Sequence, residues 1–119
     1  MYSARGIVNY YEDSVYVSCP KEIVTYYRKL VPKSVTLNPT KYDPHITVIR
    51  FEPIPDKTHW KKYEGQEVDF QYSSEIDFNE IYWWLPASCT FAENLREELG
   101  LPRVPPWRNN FHITIGNLK

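Results

Sequence analysis

PHITVI at residues 44–49 and FHITIG at residues 111–116 are two copies of one pattern, in which histidine, isoleucine and threonine precede an aliphatic residue. Only three histidines occur in the 119 residues, so two of the three lie in the same tripeptide. Alternating β-branched residues predict a β-strand in each copy. Successive side chains of a strand point to opposite faces, so each histidine shares a face with its threonine and the aliphatic residues share the other.

Each copy follows a predicted helix and a proline-containing loop. The first helix is predicted in PKEIVTYYRKL (20–30), with Ser18 or Cys19 as its N-cap. The second is predicted in SCTFAENLREELGL (88–101), with Ser88 or Thr90 as its N-cap and Gly100 as its stop. The repeated order of helix, loop and HIT strand predicts two related halves. Each half is expected to place its HIT strand in the middle of the molecule. If the two strands are neighbours, both His/Thr pairs line one cleft.

The rest of the chain is expected to complete a single domain over residues 1–119, a length that supports its own hydrophobic core. The further predicted elements are a hairpin from ARGIVNYY (4–11) and VYVSC (15–19), a short polar helix in DKTHWKKY (56–63), and strands in QEVDFQYSS (66–74) and EIDFNEIYWWL (75–85).

Charge and composition narrow the classes of partner. The net charge is −1 and the charged residues are interspersed, so we expect no binding to duplex DNA. No signal pattern or membrane-length apolar run occurs, which predicts a cytoplasmic protein without a membrane partner. Cys19 and Cys89 have no metal-type spacing and are expected to be reduced thiols.

Two histidines across one cleft are suited to concerted acid–base chemistry near neutral pH. One neutral imidazole accepts a proton from the attacking oxygen, while the other, protonated, donates one to the leaving oxygen. Thr47 and Thr114 can donate hydrogen bonds to the charged oxygens of a phosphodiester. This scheme requires no metal or cofactor, and His59, in a polar segment, is interpreted as a surface residue rather than a third zinc ligand.

Aromatic side chains near the motifs are candidates for binding the rest of a nucleotide, because aromatic faces stack on bases. Tyr10 and Tyr11 end the first strand, and one of them faces the cleft if that strand neighbours an HIT strand. Trp107 and Arg108 lie in a polar, proline-rich loop directly before the second motif. For the tryptophans at 83–84, core packing is the favoured interpretation.

The two copies, H-I-T-V at 45–48 and H-I-T-I at 112–115, resemble the His–x–Thr/Ser–hydrophobic motifs of the 2H phosphoesterase superfamily. That superfamily includes LigT-like RNA 2′,3′-cyclic phosphodiesterases and viral enzymes that destroy nucleotide second messengers. The resemblance implies an α+β fold in which two antiparallel sheets form two lobes with pseudo-twofold symmetry around a central cleft, with helices on the outside. It also implies that His45 and His112 are the catalytic pair and that Thr47 and Thr114 bind phosphate.

The short chain and its early tyrosine-rich strand look most like phage members that cleave the cyclic-oligonucleotide signals of bacterial immunity. We therefore expect a metal-independent phosphodiesterase, monomeric and cytoplasmic (in the host cytoplasm if the protein is viral), whose partner is a small nucleotide. Two alternatives stay open from the sequence. One is an RNA 2′,3′-cyclic phosphodiesterase of RNA end processing, and the other is a non-catalytic nucleotide-binding module.

Overall fold

The computed structural model describes residues 1–55, 57–58, 60–106 and 110–118. The elements are β1 (Tyr2–Tyr11), β2 (Ser14–Ser18), α1 (Lys21–Arg28), β3 (His45–Arg50), β4 (Glu67–Tyr72), β5 (Asp77–Phe78), β6 (Tyr82–Ser88), α2 (Thr90–Glu98) and β7 (Phe111–Asn117). The predicted hairpin is therefore present as β1 and β2, and both HIT segments are strands, β3 and β7. Neither helix in the described part of the chain is long and apolar enough to cross a membrane.

Six of the strands close into one antiparallel barrel. Their order is β4-β1-β2-β3-β7-β6, and β4 pairs with β6 through Gln71 opposite Ser88 and Tyr72 opposite Ala87. The extra strand β5 pairs only with β6 among the described strands. The expected two-lobed α+β fold, with two sheets around a central cleft, is therefore wrong. The repeat in the sequence is real, but β4 bonds to strands of both halves and joins them into one continuous sheet.

The barrel interior is filled by alternate side chains of the strands, as in other small closed sheets. Ile46 and Ile113, the central residues of the two motifs, are completely buried there. Burying an isoleucine side chain contributes about 1.5–3 kcal/mol, so the motif strands are held by their inward residues. The apolar faces of α1 and α2 belong to the same core, with Tyr27 and Leu95 among their buried residues.

Both HIT strands contain a β-bulge at the same position of the motif. On β3, Thr47 pairs with Tyr16 and Ile49 with Val15, which leaves Val48 as the extra residue. On β7, Thr114 pairs with Trp84 and Gly116 with Trp83, which leaves Ile115 as the extra residue. The internal repeat therefore extends from the sequence to the backbone geometry.

Each bulge is held by an arginine of a helix. Arg96 of α2 donates to the carbonyl oxygen of Val48 at 2.8 Å, and Arg28 of α1 donates to the carbonyl oxygen of Ile115 at 2.8 Å. A bulge removes a residue from the regular ladder, so its carbonyl group needs another partner. Each arginine comes from the other half of the chain: Arg28 of the first helix bonds the second motif, and Arg96 of the second helix bonds the first motif.

Several local predictions need correction. The segment 75–85, expected as one strand, contains a turn in which Asn79 Oδ1 accepts hydrogen bonds from the backbone N–H groups of Ile81 and Tyr82. This Asx turn separates β5 from β6, because an asparagine side chain competes with the strand ladder for the backbone donors. The described residues of 56–63 form turns rather than a helix. The N-caps are Pro20 and Cys89, and neither makes a side-chain capping bond.

Replacing Arg96 with alanine is expected to lower the free energy of unfolding by about 3–5 kcal/mol, the cost of leaving one member of a buried ion pair without its partner. Arg96 is completely buried, and its guanidinium bonds both carboxylate oxygens of Glu52 (2.7 and 2.8 Å) as well as the carbonyl oxygens of Val48 and Pro102. Urea denaturation followed by circular dichroism measures the change.

The control for this experiment is Arg103→Ala. Arg103 is half-exposed and pairs with Glu93 and Glu97 on the surface of α2. An exposed ion pair contributes at most about 1 kcal/mol, so the control should stay close to wild type. Equal losses for the two variants would contradict the structural role assigned to Arg96.

Candidate active site

The two HIT motifs lie side by side. β3 and β7 are antiparallel neighbours, with Ile46 opposite Ile113. Residues paired across a sheet point to the same face, and both isoleucines point inward. All four motif side chains therefore lie on the outer face of this sheet region, where they are half-buried: His45, Thr47, His112 and Thr114. The predicted adjacency of the two strands is confirmed.

The register gives this surface an approximate twofold symmetry about the Ile46–Ile113 pair. His45 lies across from Thr114, and Thr47 lies across from His112. Side chains directly opposite one another in an antiparallel pair have Cβ atoms about 4.5–5.5 Å apart, and diagonal neighbours lie about 7–8 Å apart. The two imidazoles are diagonal neighbours. A phosphate group placed over the isoleucine pair would have a histidine on either side.

Each histidine is flanked by an aromatic ring from the strand on its outer side. The rings of Tyr16 on β2 and His45 have centroids 5.5 Å apart, and those of Trp84 on β6 and His112 are 6.3 Å apart. The interplanar angle is 67° in both pairs, an edge-to-face arrangement. The aromatic flanks therefore follow the same twofold symmetry as the motifs and limit the side-chain freedom of both imidazoles.

A backbone group orients the His45 ring. His45 Nδ1 lies 2.8 Å from the carbonyl oxygen of Asp43. A carbonyl oxygen can only accept a hydrogen bond, so Nδ1 carries a proton in both the neutral and the charged imidazole. Nε2 is then the nitrogen that gains and loses a proton, as a general acid or base requires.

A cleft of about 690 Å³ opens beside the first motif, on the outer face of β1, β2 and β3. Its described lining residues are Asn9, Tyr11, Ser14, Val15, Tyr16, Ser18, Tyr42, Asp43, Pro44, His45, Thr47, Arg50 and Phe51. The cleft thus includes His45 and Thr47 but neither His112 nor Thr114. The expectation that a single cleft is lined by both pairs is wrong in this respect. As described, the cleft extends from the first motif over β2 and β1 and does not reach the second motif.

Of the two tyrosines proposed for substrate binding, the structure places only Tyr11 in the cleft. Tyr10 points into the core, where its ring meets Trp60 edge-on at 5.2 Å, and burial raises the pKa of its hydroxyl. Tyr10 is therefore excluded from contact with a ligand in the cleft. Trp107 and Arg108, the other two candidates, lie outside the described residues, as does His59.

Three residues of this surface were missed or misassigned by sequence reasoning. Tyr16 could not be assigned to the site from the sequence, because nothing in the sequence pairs β2 with an HIT strand. The interpretation of Trp84 as a core residue is wrong, because Trp84 is half-buried beside His112, whereas Trp83 is buried and stacks on Phe78. Regular strand alternation from His45 would place the Arg50 side chain on the inner face. The bulge at Val48 shifts the alternation by one residue and places Arg50 on the outer face instead.

The two cysteines do not provide a nucleophile. Cys19 and Cys89 are both buried and unbridged, as the sequence predicted for reduced thiols. Burial raises the pKa of the Cys19 thiol to about 12 and also raises that of Cys89. The reactive thiolate form is therefore scarce at neutral pH.

A scan against protein-family models and searches of curated proteins and of solved structures found no significant match to this chain. The resemblance to the 2H phosphoesterase superfamily thus depends on the two motifs, and it stays a prediction. Among the described residues, no group of three or more histidine, cysteine, aspartate and glutamate side chains could hold a metal ion.

Proposed function

We propose that this protein is a phosphodiesterase that cleaves a ribonucleotide phosphodiester by acid–base catalysis with His45 and His112. The observation that carries the proposal is the twofold arrangement of the two HIT motifs on neighbouring strands. It provides two imidazoles and two hydroxyl groups around one position on the surface. A structural role for both motifs would account for the buried isoleucines, but it would leave the repeated outward His/Thr pairs without a purpose.

The reaction assigns one proton transfer to each histidine. The imidazole that acts as base takes the proton of the attacking oxygen, which forms a bond to phosphorus. The bond from phosphorus to the leaving oxygen breaks, and the other, protonated imidazole gives that oxygen a proton. Thr47 and Thr114 donate hydrogen bonds to the non-bridging oxygens, on which negative charge accumulates in the transition state.

The proposed substrate is a small cyclic oligonucleotide of the kind used as an immune signal, in keeping with the phage enzymes that the motifs resemble. The cleft beside His45 supports a substrate larger than one nucleotide, because about 690 Å³ lined by Tyr11, Tyr16 and Tyr42 offers room and aromatic surface for a further base. We further propose that the enzyme works as a monomer in the cytoplasm. The two unbridged cysteines support such a reducing compartment.

The experiment that tests the function is incubation of the purified protein with cyclic dinucleotides, cyclic trinucleotides and 2′,3′-cyclic mononucleotides, followed by chromatography of the products. Cleavage of at least one cyclic oligonucleotide is expected. Cleavage of 2′,3′-cyclic ends alone would favour RNA end processing. Tight binding of nucleotides without turnover would favour a binding module and contradict the proposed enzyme.

Activity is expected to persist in EDTA, because two imidazoles and two hydroxyl groups can perform both proton transfers and stabilise the charge. The measurement compares initial rates before and after incubation with excess chelator. Loss of activity in EDTA, with recovery on addition of zinc or manganese, would show that a metal ion takes part and would contradict the two-histidine scheme.

A further inference from the structure

Arg50 enters the cleft because of the β3 bulge. Strand alternation from His45 and Thr47 would place residue 50 on the inner face, with Ile46. Val48 and Ile49 are instead both buried, and Arg50 is exposed opposite Ser14. Bulges near functional sites commonly redirect a side chain in this way.

The backbone conformation after Arg50 ends the strand at once. Phe51 has a φ of 52°, a left-handed conformation that is rare for a bulky side chain. The conformational energy cost of such a residue must be compensated by the surrounding structure. Residues in this conformation are concentrated at functional sites. Phe51 lies at the edge of the same cleft as Arg50.

The corresponding position of the second motif is closed rather than open. The β7 bulge turns Asn117 outward as the counterpart of Arg50, but Asn117 exchanges backbone hydrogen bonds with Asn38 (2.8 and 3.1 Å). Gly116 lies so close to this segment that an added Cβ would be 2.4 Å from Leu37 and 2.7 Å from the Asn38 carbonyl oxygen. Within the described residues, the otherwise twofold site is therefore open beyond the first motif, toward Arg50, and closed at the corresponding position of the second motif.

The charges in the cleft favour an anionic ligand at this end. Arg50 is the only lysine or arginine among the described lining residues. Its guanidinium makes no ion pair or hydrogen bond with any described side chain. The one lining carboxylate, that of Asp43, lies 3.6 Å from Lys21 Nζ.

We propose that Arg50 binds a second phosphate of the substrate and that it thereby selects substrates with at least two phosphate groups. This inference rests on the proposed function of the His45–His112 pair. Because the bulge takes one residue out of the ladder, Thr47 and Arg50 face Tyr16 and Ser14, two ladder positions or about 7 Å apart along the strand. Arg50 thus lies beyond Thr47 on the side away from the Ile46–Ile113 pair, and the phosphate assigned to it in this proposal is a different one from the phosphate under attack. Arginine suits this task because its planar guanidinium bonds two phosphate oxygens at once.

The test compares one substrate that carries two phosphates, cyclic di-AMP, with one that carries a single phosphate, 2′,3′-cyclic AMP. The readout is the ratio of kcat/KM for cyclic di-AMP to kcat/KM for 2′,3′-cyclic AMP. Arg50→Ala is expected to lower this ratio about 10- to 100-fold, the range associated with a hydrogen bond to a charged group, mainly through KM for cyclic di-AMP. Arg50→Lys keeps the positive charge but lacks the planar guanidinium, so its kcat/KM ratio should lie between those of the wild type and Arg50→Ala.

Arg5→Ala is the matched control. Arg5 is an exposed strand arginine paired with exposed Asp69 at 3.1 Å, and it does not line the cleft. Its removal should leave the ratio within about twofold of wild type, as expected for a surface charge outside the site. The urea midpoints of all variants are measured to verify that they are folded.

The outcomes separate this inference from the proposed function. Cleavage of both substrates with an unchanged ratio in Arg50→Ala would overturn the role of Arg50 and leave the phosphodiesterase intact. If neither substrate is cleaved, calorimetric Kd values for the same two nucleotides decide the role of Arg50, while the full panel of cyclic nucleotides decides the proposed function. An Arg50-dependent preference for cyclic di-AMP would then support the second phosphate site, whereas absence of binding, or binding that does not depend on Arg50, would overturn it.

Discussion

Replacing either His45 or His112 with alanine is expected to lower kcat about 10²- to 10⁴-fold, the usual contribution of a positioned proton donor or acceptor. The two imidazoles lie on the same outer face of adjacent strands, on diagonal positions around one site. In the proposed mechanism each imidazole performs one of the two proton transfers, so neither can replace the other. Initial rates with the best cyclic oligonucleotide of the panel give the measurement.

The double variant His45→Ala/His112→Ala should be little slower than the slower single variant, because groups that act as a unit give strongly non-additive losses. Losses that multiply would mean that the two histidines act in separate steps or at separate sites. His59→Ala is the matched control, because His59 is the remaining histidine and lies in neither motif. Rates near wild type for His45→Ala or His112→Ala would contradict the proposed mechanism.

These losses can be distinguished from loss of folding. Both histidines are half-buried on the outer face and neither belongs to the core. Loss of the His45–Asp43 hydrogen bond should cost only about 0.5–1.5 kcal/mol of stability. We therefore expect urea midpoints close to wild type for both variants, together with the large loss of turnover.

A cyclic dinucleotide with 2′-deoxyribose at both positions is expected to bind but to remain uncleaved. If the enzyme cleaves an internal 3′–5′ linkage, we propose that the neighbouring 2′-hydroxyl is the attacking oxygen. It forms the new bond to phosphorus and gives its proton to the basic imidazole. Without this hydroxyl the substrate has no internal nucleophile, and the rate should fall below detection, a larger effect than loss of either histidine.

Binding of the deoxy analogue should stay within a few fold of the ribose form, because its bases and phosphates are unchanged and can still meet Thr47, Thr114 and the aromatic rings. The ribose substrate should first give a product that ends in a 2′,3′-cyclic phosphate, which direct hydrolysis by water would not produce. The control is the dinucleotide with a single deoxyribose, which retains one cleavable linkage. Cleavage of the fully deoxy dinucleotide at a rate near that of the ribose form would contradict this route and show that an activated water is the nucleophile.

Much of the candidate site could be predicted from short-range patterns. The alternation in HITVI and HITIG placed Ile46 and Ile113 inside and the His/Thr pairs outside, and the structure agrees. Tyr10 and Tyr11 illustrate the limit of this reasoning. Their opposite orientations follow from alternation, but which of them faces the cleft depends on which side of β1 the core occupies.

The closed barrel could not be predicted in the same way. The repeated helix–loop–strand order favoured two separate halves, and no local feature of residues 66–74 indicates that β4 pairs with both β1 and β6. Pairing between strands that are distant in the sequence depends on how much apolar surface the whole chain buries when the barrel closes. A pattern confined to one segment carries no information about it.

The sequence by itself determined the outward direction of His45 and His112 and the termination of α2 just before Gly100, which adopts a φ of 84° that glycine tolerates best. These are local consequences of strand alternation and backbone sterics. Only the tertiary structure decided the position of Arg50, because the bulge that turns it into the cleft is held by a hydrogen bond from Arg96, 48 residues away from Val48. A contact across that distance forms only once α2 has packed against β3, so the direction of Arg50 is a property of the folded molecule and not of the motif.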